Sequence, residues 1–222
     1  MKLIIANWKC NPKTLAEAKK LFNAVKNTKA VICPPFVYLP FLKYEFLGAQ
    51  DCHYEQSGAF TGEVSPKMLK DLGCKYVIIG HSERRIHFKE TDEMINKKLK
   101  AALKVGLIPI LCIGEKKGEN VQKVISNQLK KDLANIPKKD LAKIIIAYEP
   151  VWAIGTGDFC KPEKAKKALN FIKNKLPNNK VLYGGSVNSK IAENYTKIGF
   201  DGLLVGSASL NSKEFVKIIK NA

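Results

Sequence analysis

Three side chains able to move protons stand where apolar runs stop. Glu149 closes the run Ile144-Ile145-Ile146-Ala147-Tyr148 and is followed at once by Pro150. His81 follows Tyr76-Val77-Ile78-Ile79-Gly80, with Ser82 and Glu83 behind it. Lys9 ends the run that starts at Leu3, in which Asn7 is the polar exception. A lone carboxylate at the end of a buried run is costly unless it has a purpose. Pro150 has a fixed φ and no N–H, so it stops the strand ladder there. Val151-Trp152-Ala153-Ile154 and then Gly155-Thr156-Gly157 read as an apolar flap with flexible glycines behind it. A base on a rigid strand end, under a flap that excludes water, fits proton abstraction. With an imidazole and an amine beside it, the group fits acid–base work on an anionic carbonyl compound.

Two glycine-rich turns complete the set. Gly184-Gly185-Ser186 and Gly206-Ser207 each follow an apolar run. Turns of this kind bind phosphate through backbone N–H groups and a short helix N-terminus. No GxxxxGK[ST] string occurs, so a nucleotide is not implied. The six cysteines are widely spaced without a CxxC, and the three histidines lack ligand spacing. That pattern argues against a metal site or a disulfide framework and for a reduced, cytoplasmic protein.

The elements that must position these residues follow one rhythm. Strands are expected at Leu3–Trp8, Ala30–Cys33, Phe46–Gln50, Tyr76–Gly80, Leu107–Ile113, Ile144–Tyr148, Val181–Tyr183 and Asp201–Val205. A helix with the stripe Leu15, Ala18, Phe22, Val25 follows the first, with Asn11 as cap and Pro12 at its first position. Pro34-Pro35 end the second strand, and a short helix is expected near Tyr38–Lys43. Further helices begin at Ser65-Pro66, Thr91, Asn120, Pro162, Ser189 and Ser212. The strands are continuous apolar runs, as a parallel sheet covered by helices requires. Eight strand–helix units over residues 1–222 point to a single closed (β/α)8 TIM barrel domain. A doubly wound open sheet is the rival, but its GxGxxG turn after the first strand is missing. A barrel brings chemistry to the C-terminal ends of its strands, and that is where Asn7, Lys9, His81, Glu149, Ser186, Gly206 and Ser207 fall.

Composition narrows the partners. The 222 residues are 45% hydrophobic and 26% charged, with a formal charge of +18. Nucleic acid or a membrane surface is open on charge alone. However, 36 of the 38 basic residues are Lys, leaving only Arg84 and Arg85. Arginine is the usual reader of phosphates and base edges. The lysines (Lys19, Lys20, Lys97, Lys98, Lys166, Lys167) map to polar helix faces, so a solvated surface that steers an anionic substrate is expected, with no nucleic acid bound. The N-terminal apolar run is too short for a signal peptide, and Val105–Gly114 is too short to span a bilayer.

The chain resembles the triosephosphate isomerase family. The motifs that carry the resemblance are Ala6-Asn7-Trp8-Lys9-Cys10-Asn11, Cys33-Pro34-Pro35, Gly58 to Glu63, Gly80-His81-Ser82-Glu83-Arg84-Arg85, Cys112-Ile113-Gly114-Glu115, Ala147 to Gly157, Tyr183 to Val187 and Gly202 to Leu210. They keep family order across nearly the whole chain. The resemblance implies interconversion of dihydroxyacetone phosphate and glyceraldehyde 3-phosphate without metal or cofactor. It implies Glu149 as the base, His81 as a neutral electrophile and Lys9 as the cation facing the enediolate. Asn7 would position a substrate oxygen, and Glu83 would orient the surroundings of Lys9 and His81. Gly155, Ser186, Gly206 and Ser207 would offer N–H groups to phosphate. These roles, and the closing loop, come with the family and not from spacing. The loop Asp51–Gly62, with Thr61 at its tip, resembles the family's dimer-forming loop, so a homodimer is implied.

Some features depart from the family. The chain is short, with losses before the third strand and around the later helices. Asp158-Phe159-Cys160 is bulkier than the small residues usual behind the lid, which is expected to alter lid motion. Gly206-Ser207 stands where two glycines are common. Another phosphosugar enzyme on the same barrel is the rival on fold alone.

Overall fold

A computed structural model describes residues 2–155 and 158–222. Its strands are β1 Leu3–Asn7, β2 Val31–Cys33, β3 Gly48–Ala49, β4 Tyr76–Ile79, β5 Ile108–Ile113, β6 Ile145–Tyr148, β7 Val181–Tyr183 and β8 Gly202–Val205. Its helices are α1 Leu15–Val25, α2 Pro66–Asp71, α3 Ser82–His87, α4 Asp92–Lys104, α5 Val121–Asp132, α6 Lys138–Leu141, α7 Pro162–Lys175, α8 Ala192–Lys197 and α9 Ser212–Asn221. The eight strands pair in parallel in the order β2-β1-β8-β7-β6-β5-β4-β3. The ring closes between β2 and β3 through the parallel bridge Ile32–Leu47 and the bond from Ile32 N–H to Phe46 O, 3.0 Å. This is the expected (β/α)8 barrel.

Strand parity builds two cores. Successive side chains alternate across a strand, so every second residue faces the barrel interior. Ile5, Val31, Cys33, Ile78, Ile110, Cys112, Ile145, Ala147, Leu182 and Leu204 form that inner cluster. Their neighbours, such as Ile4, Ala6, Leu111, Ile146 and Leu203, pack outward beneath the helices. Ala18, Phe22 and Val25 are the buried stripe of α1.

Several boundaries differ from the sequence reading. Thr14, not Asn11, caps α1: its side chain accepts from Glu17 N–H while Glu17 reaches back to Thr14 N–H. That reciprocal pair satisfies two orphan donors, which a lone Asn cap cannot do. Asn211, not Ser212, caps α9 by accepting from Glu214 N–H. β3 shrinks to two residues, the segment Phe36–Phe41 is a 3-10 turn, and α6 was not foreseen. The helix expected from Ser189 starts at Ala192, because Asn188 Oδ1 takes the Lys190 and Ile191 N–H groups in a turn.

Lys98 corrects the charge reading. The other five lysines of the polar-face set are exposed, but Lys98 is 3% exposed. It lies on the buried stripe of α4, one turn from Ile95 and beside Leu99. Its Nζ reaches both Asp51 carboxylate oxygens, at 2.9 and 2.8 Å, and Glu90. Arg84 joins the cluster through Asp51 (2.7 Å) and Glu90. Two cations thus balance two buried carboxylates, and removing one cation leaves an uncompensated buried charge. Lys98→Ala is expected to lower unfolding free energy by about 3–5 kcal/mol, read from urea denaturation. A change near zero would show the cluster to be solvated.

Candidate active site

The parity that fills the barrel also loads its mouth. Beyond the last inward apolar residue, β1 offers Asn7, β6 offers Glu149, β7 offers Gly184 and β8 offers Gly206. These positions line one cavity of about 480 Å³, together with Lys9, His81, Gly155, Ser186 and Ser207. Of the residues singled out in the sequence, only Glu83 and Thr61 lie outside its lining. His81 breaks parity because Gly80 takes φ +72°, a left-handed turn that L side chains resist, and this re-aims the chain.

Glu149 is 2% exposed. Ser82 N–H donates to Oε2 at 3.3 Å, and His81 Nε2 lies 3.2 Å from Oε1. Burial, then the charge of Glu149, pushes the Cys112 thiol well up and keeps it protonated. Gly184 leaves the carboxylate its room, since an added Cβ would stand 2.8 Å from Glu149 Cγ.

His81 is the N-cap of α3. Its Nδ1 accepts the Glu83 N–H at 3.2 Å, in the role usually played by Ser or Asp. A nitrogen accepting that bond carries no proton, so the ring proton sits on Nε2, which faces the Glu149 carboxylate at 3.2 Å. The 3.6 Å approach of Glu83 Oε2 to Nδ1 is therefore not an ion pair.

Lys9 has φ +53°, a strained position for a residue with a Cβ. Asn7 Oδ1 accepts its N–H at 3.0 Å, and Gln50 Nε2 donates to its carbonyl at 2.8 Å. The ammonium pairs with Glu83 Oε1. Gln50 was not singled out in the sequence; a polar residue just past β3, with β2 between it and Lys9, was the available signal.

The glycine-rich rim is partly engaged. Gly206 opens a 3-10 turn over Ser207–Leu210, whose first amides have no partner within the turn. Ser186 N–H and Oγ both donate to Ala153 O, at 3.1 and 2.6 Å. Ser186 thus ties down the front of the flap. Trp152 Nε1 and Tyr148 Oη both donate to Glu115 Oε1, at 3.1 and 3.2 Å, and Val151 N–H donates to Glu115 O. Thr156 and Gly157 of the expected flap lie outside the described residues. No group of three or more His, Cys, Asp or Glu able to hold a metal ion occurs among the described residues. No helix among them is long and apolar enough to cross a membrane.

A profile of the triosephosphate isomerase family matches residues 2–222. The chain belongs to the triosephosphate isomerase family. Relatives named triosephosphate isomerase occur in Aquifex aeolicus (46% identity), Dictyoglomus thermophilum (45%) and Clostridium botulinum strain Loch Maree (44%). Those alignments cover 98–99% of this chain and 98–99% of each relative. They run over 244–247 positions against 222 residues, so this member of the triosephosphate isomerase family lacks more than twenty that its relatives carry.

Within this family member, Arg85 braces the mouth from behind. Its guanidinium donates to Gly80 O (2.8 Å) and Cys112 O (3.2 Å), joining the ends of β4 and β5. Asp92 and Asp132, at 2.6 and 2.7 Å, hold it there. Burial pushes the fully enclosed Asp132 carboxyl up to about 7, with Arg85 opposing and Asp92 reinforcing the shift. An unfolded Asp titrates near 3.9. The folded state therefore binds the extra proton between about pH 4 and 7, and stability falls as pH rises through that window. Asp132→Asn is expected to flatten this decline, measured as urea midpoint against pH. An unchanged slope would mean that Asp132 stays ionised throughout.

Proposed function

We propose that the chain isomerises triose phosphates, interconverting dihydroxyacetone phosphate and D-glyceraldehyde 3-phosphate through an enediolate, with Glu149 as base and His81 as neutral electrophile. The single observation behind the reading is the His81 Nε2 to Glu149 contact, 3.2 Å, inside the cavity that also holds Lys9. A substrate carbonyl entering that cavity takes over the Nε2 proton as a hydrogen-bond donor. The carboxylate, released from His81, swings off Ser82 N–H toward the carbon next to the carbonyl. It removes a proton there and returns it to the adjacent carbon, while His81 moves the hydroxyl proton between the two oxygens.

The remaining roles follow from charge and position. Lys9 stabilises the negative oxygens of the enediolate, and Glu83 orients the ammonium. Asn7 holds the strained Lys9 backbone and faces the substrate oxygen. Gly155, Ser186, Gly206 and Ser207 bind the phosphate through N–H groups; for Ser186 this requires that Ala153 let go. A closed flap keeps water from the enediolate and so suppresses phosphate loss. No cofactor enters the reaction.

The active form is a homodimer of single-domain barrels in the cytoplasm. Support for the dimer lies in exposed apolar residues: Phe60 beside Thr61 is 42% exposed, and Phe88 is 64% exposed. A second copy covering this face would bring Thr61 to the partner's mouth. A coupled isomerisation assay tests the central role. Glu149→Gln is expected to lower kcat/KM by about a thousandfold, roughly 4 kcal/mol of transition-state stabilisation. A variant within about tenfold of the wild type would remove Glu149 from the mechanism.

A further inference from the structure

The end of β5 faces a gap that β4 leaves. In a parallel sheet each residue turns its N–H and C=O to one neighbouring strand, and the next residue turns to the other. Ile113 and Glu115 turn toward β6: Ile113 O accepts the Glu149 N–H at 2.8 Å, and Glu115 O accepts the Val151 N–H at 2.9 Å. Gly114, between them, therefore turns toward β4. But β4 ends at Ile79, and Gly80 re-aims the chain into α3 to present His81. Gly114 is buried, so its backbone groups need partners that the ladder no longer supplies. Gln128, on α5, supplies them. Gly114 N–H donates to Gln128 Oε1 at 2.9 Å, and Gln128 Nε2 donates to Gly114 O at 3.3 Å. A primary amide carries a donor and an acceptor side by side, as a strand residue does.

What Gly114 touches gives this pairing its meaning. A Cβ added at Gly114 would stand 1.8 Å from Glu149 O, so the two main chains lie directly against each other. Pro150, next along, has no N–H to give. From the β5 side, the main chain at Glu149 is thus fixed by the bonds to Ile113 O and Glu115 O, with Gly114 packed between them. Gln128 and Glu149 also line one small cavity of about 10 Å³, room for about one water molecule.

We propose that Gln128 is a positioning residue for the isomerisation: standing in for β4, it holds Gly114, and through Gly114 the main chain from which the Glu149 carboxylate reaches the substrate carbon. This rests on the isomerase reading above. Misplacing a reacting group by about 1 Å is enough to slow a reaction strongly. Asn7, Lys9 and Gly206 belong to the ends of β1 and β8, away from α5, so their hold on the substrate does not pass through Gln128.

The readouts are kcat, KM and Tm. Gln128→Leu is close to glutamine in bulk and removes both bonds to Gly114. It is expected to lower kcat about tenfold with KM within about twofold of the wild type, the pattern of an interaction felt in the transition state alone. Gln128→Asn keeps the amide but draws it back by one methylene, and the same loss of kcat is expected; it answers the question if Gln128→Leu does not fold. Ile125→Val serves as the comparison: it trims the buried face of α5 one turn away and leaves the Gln128 amide in place. It is expected to lower Tm with kcat unchanged. Two results would overturn the proposal: wild-type kcat in the Gln128 variants, or kcat falling in all three variants in step with their loss of Tm. A wild type with no isomerase activity would instead remove the underlying reading, and the role of Gln128 with it.

Discussion

The chemistry of the mouth depends on one hydrogen bond, from the Glu83 N–H to His81 Nδ1. Because α3 begins directly after the β4 turn, the Glu83 amide in its first turn faces the imidazole, and the ring caps it. The cap strips Nδ1 of its proton and leaves Nε2–H aimed into the cavity. One local contact therefore sets the tautomer of the imidazole and the direction of its donor. A neutral imidazole beside a carboxylate can polarise a carbonyl without first neutralising the base, as an imidazolium paired with Glu149 would.

The rest of the barrel holds that contact in place. Strand parity puts Asn7, Glu149, Gly184 and Gly206 at the next inward step of four strands, so side chains from distant segments meet at one rim. Arg85 bridges the ends of β4 and β5 behind His81, and the buried cluster of Asp51, Arg84, Glu90 and Lys98 anchors the far side of α3. Charged groups buried this way are poor sources of net stability. Their placement on either side of a six-residue helix fits a role in fixing the direction of that helix.

Much of this was legible in the sequence. The apolar runs gave the strands, Ser65, Thr91 and Asn120 gave helix starts, and Glu149, His81 and Lys9 stood out as polar residues closing apolar runs. What escaped was pairing between distant segments. Lys98 looks like a surface lysine until its three-residue spacing from Ile95 is weighed against Asp51 and Glu90, which lie on other segments. Gln50 and Asp132 carry no local signature, because their partners are the backbone carbonyls of Lys9 and Cys33 and a guanidinium on α3. Thr14 outcompetes Asn11 as a cap through Glu17, three residues on, which closes a reciprocal pair that the Asn-Pro step lacks. Ser186 falls at the mouth by its place after β7, but its bond to Ala153 has no sequence signal.

Nitrogen-15 NMR of imidazole-labelled protein at neutral pH reads the state of His81 directly. The account predicts a single neutral form, with the proton on Nε2 and a bare Nδ1 hydrogen-bonded to an amide. An imidazolium with both nitrogens protonated, or a neutral ring with its proton on Nδ1, would contradict it.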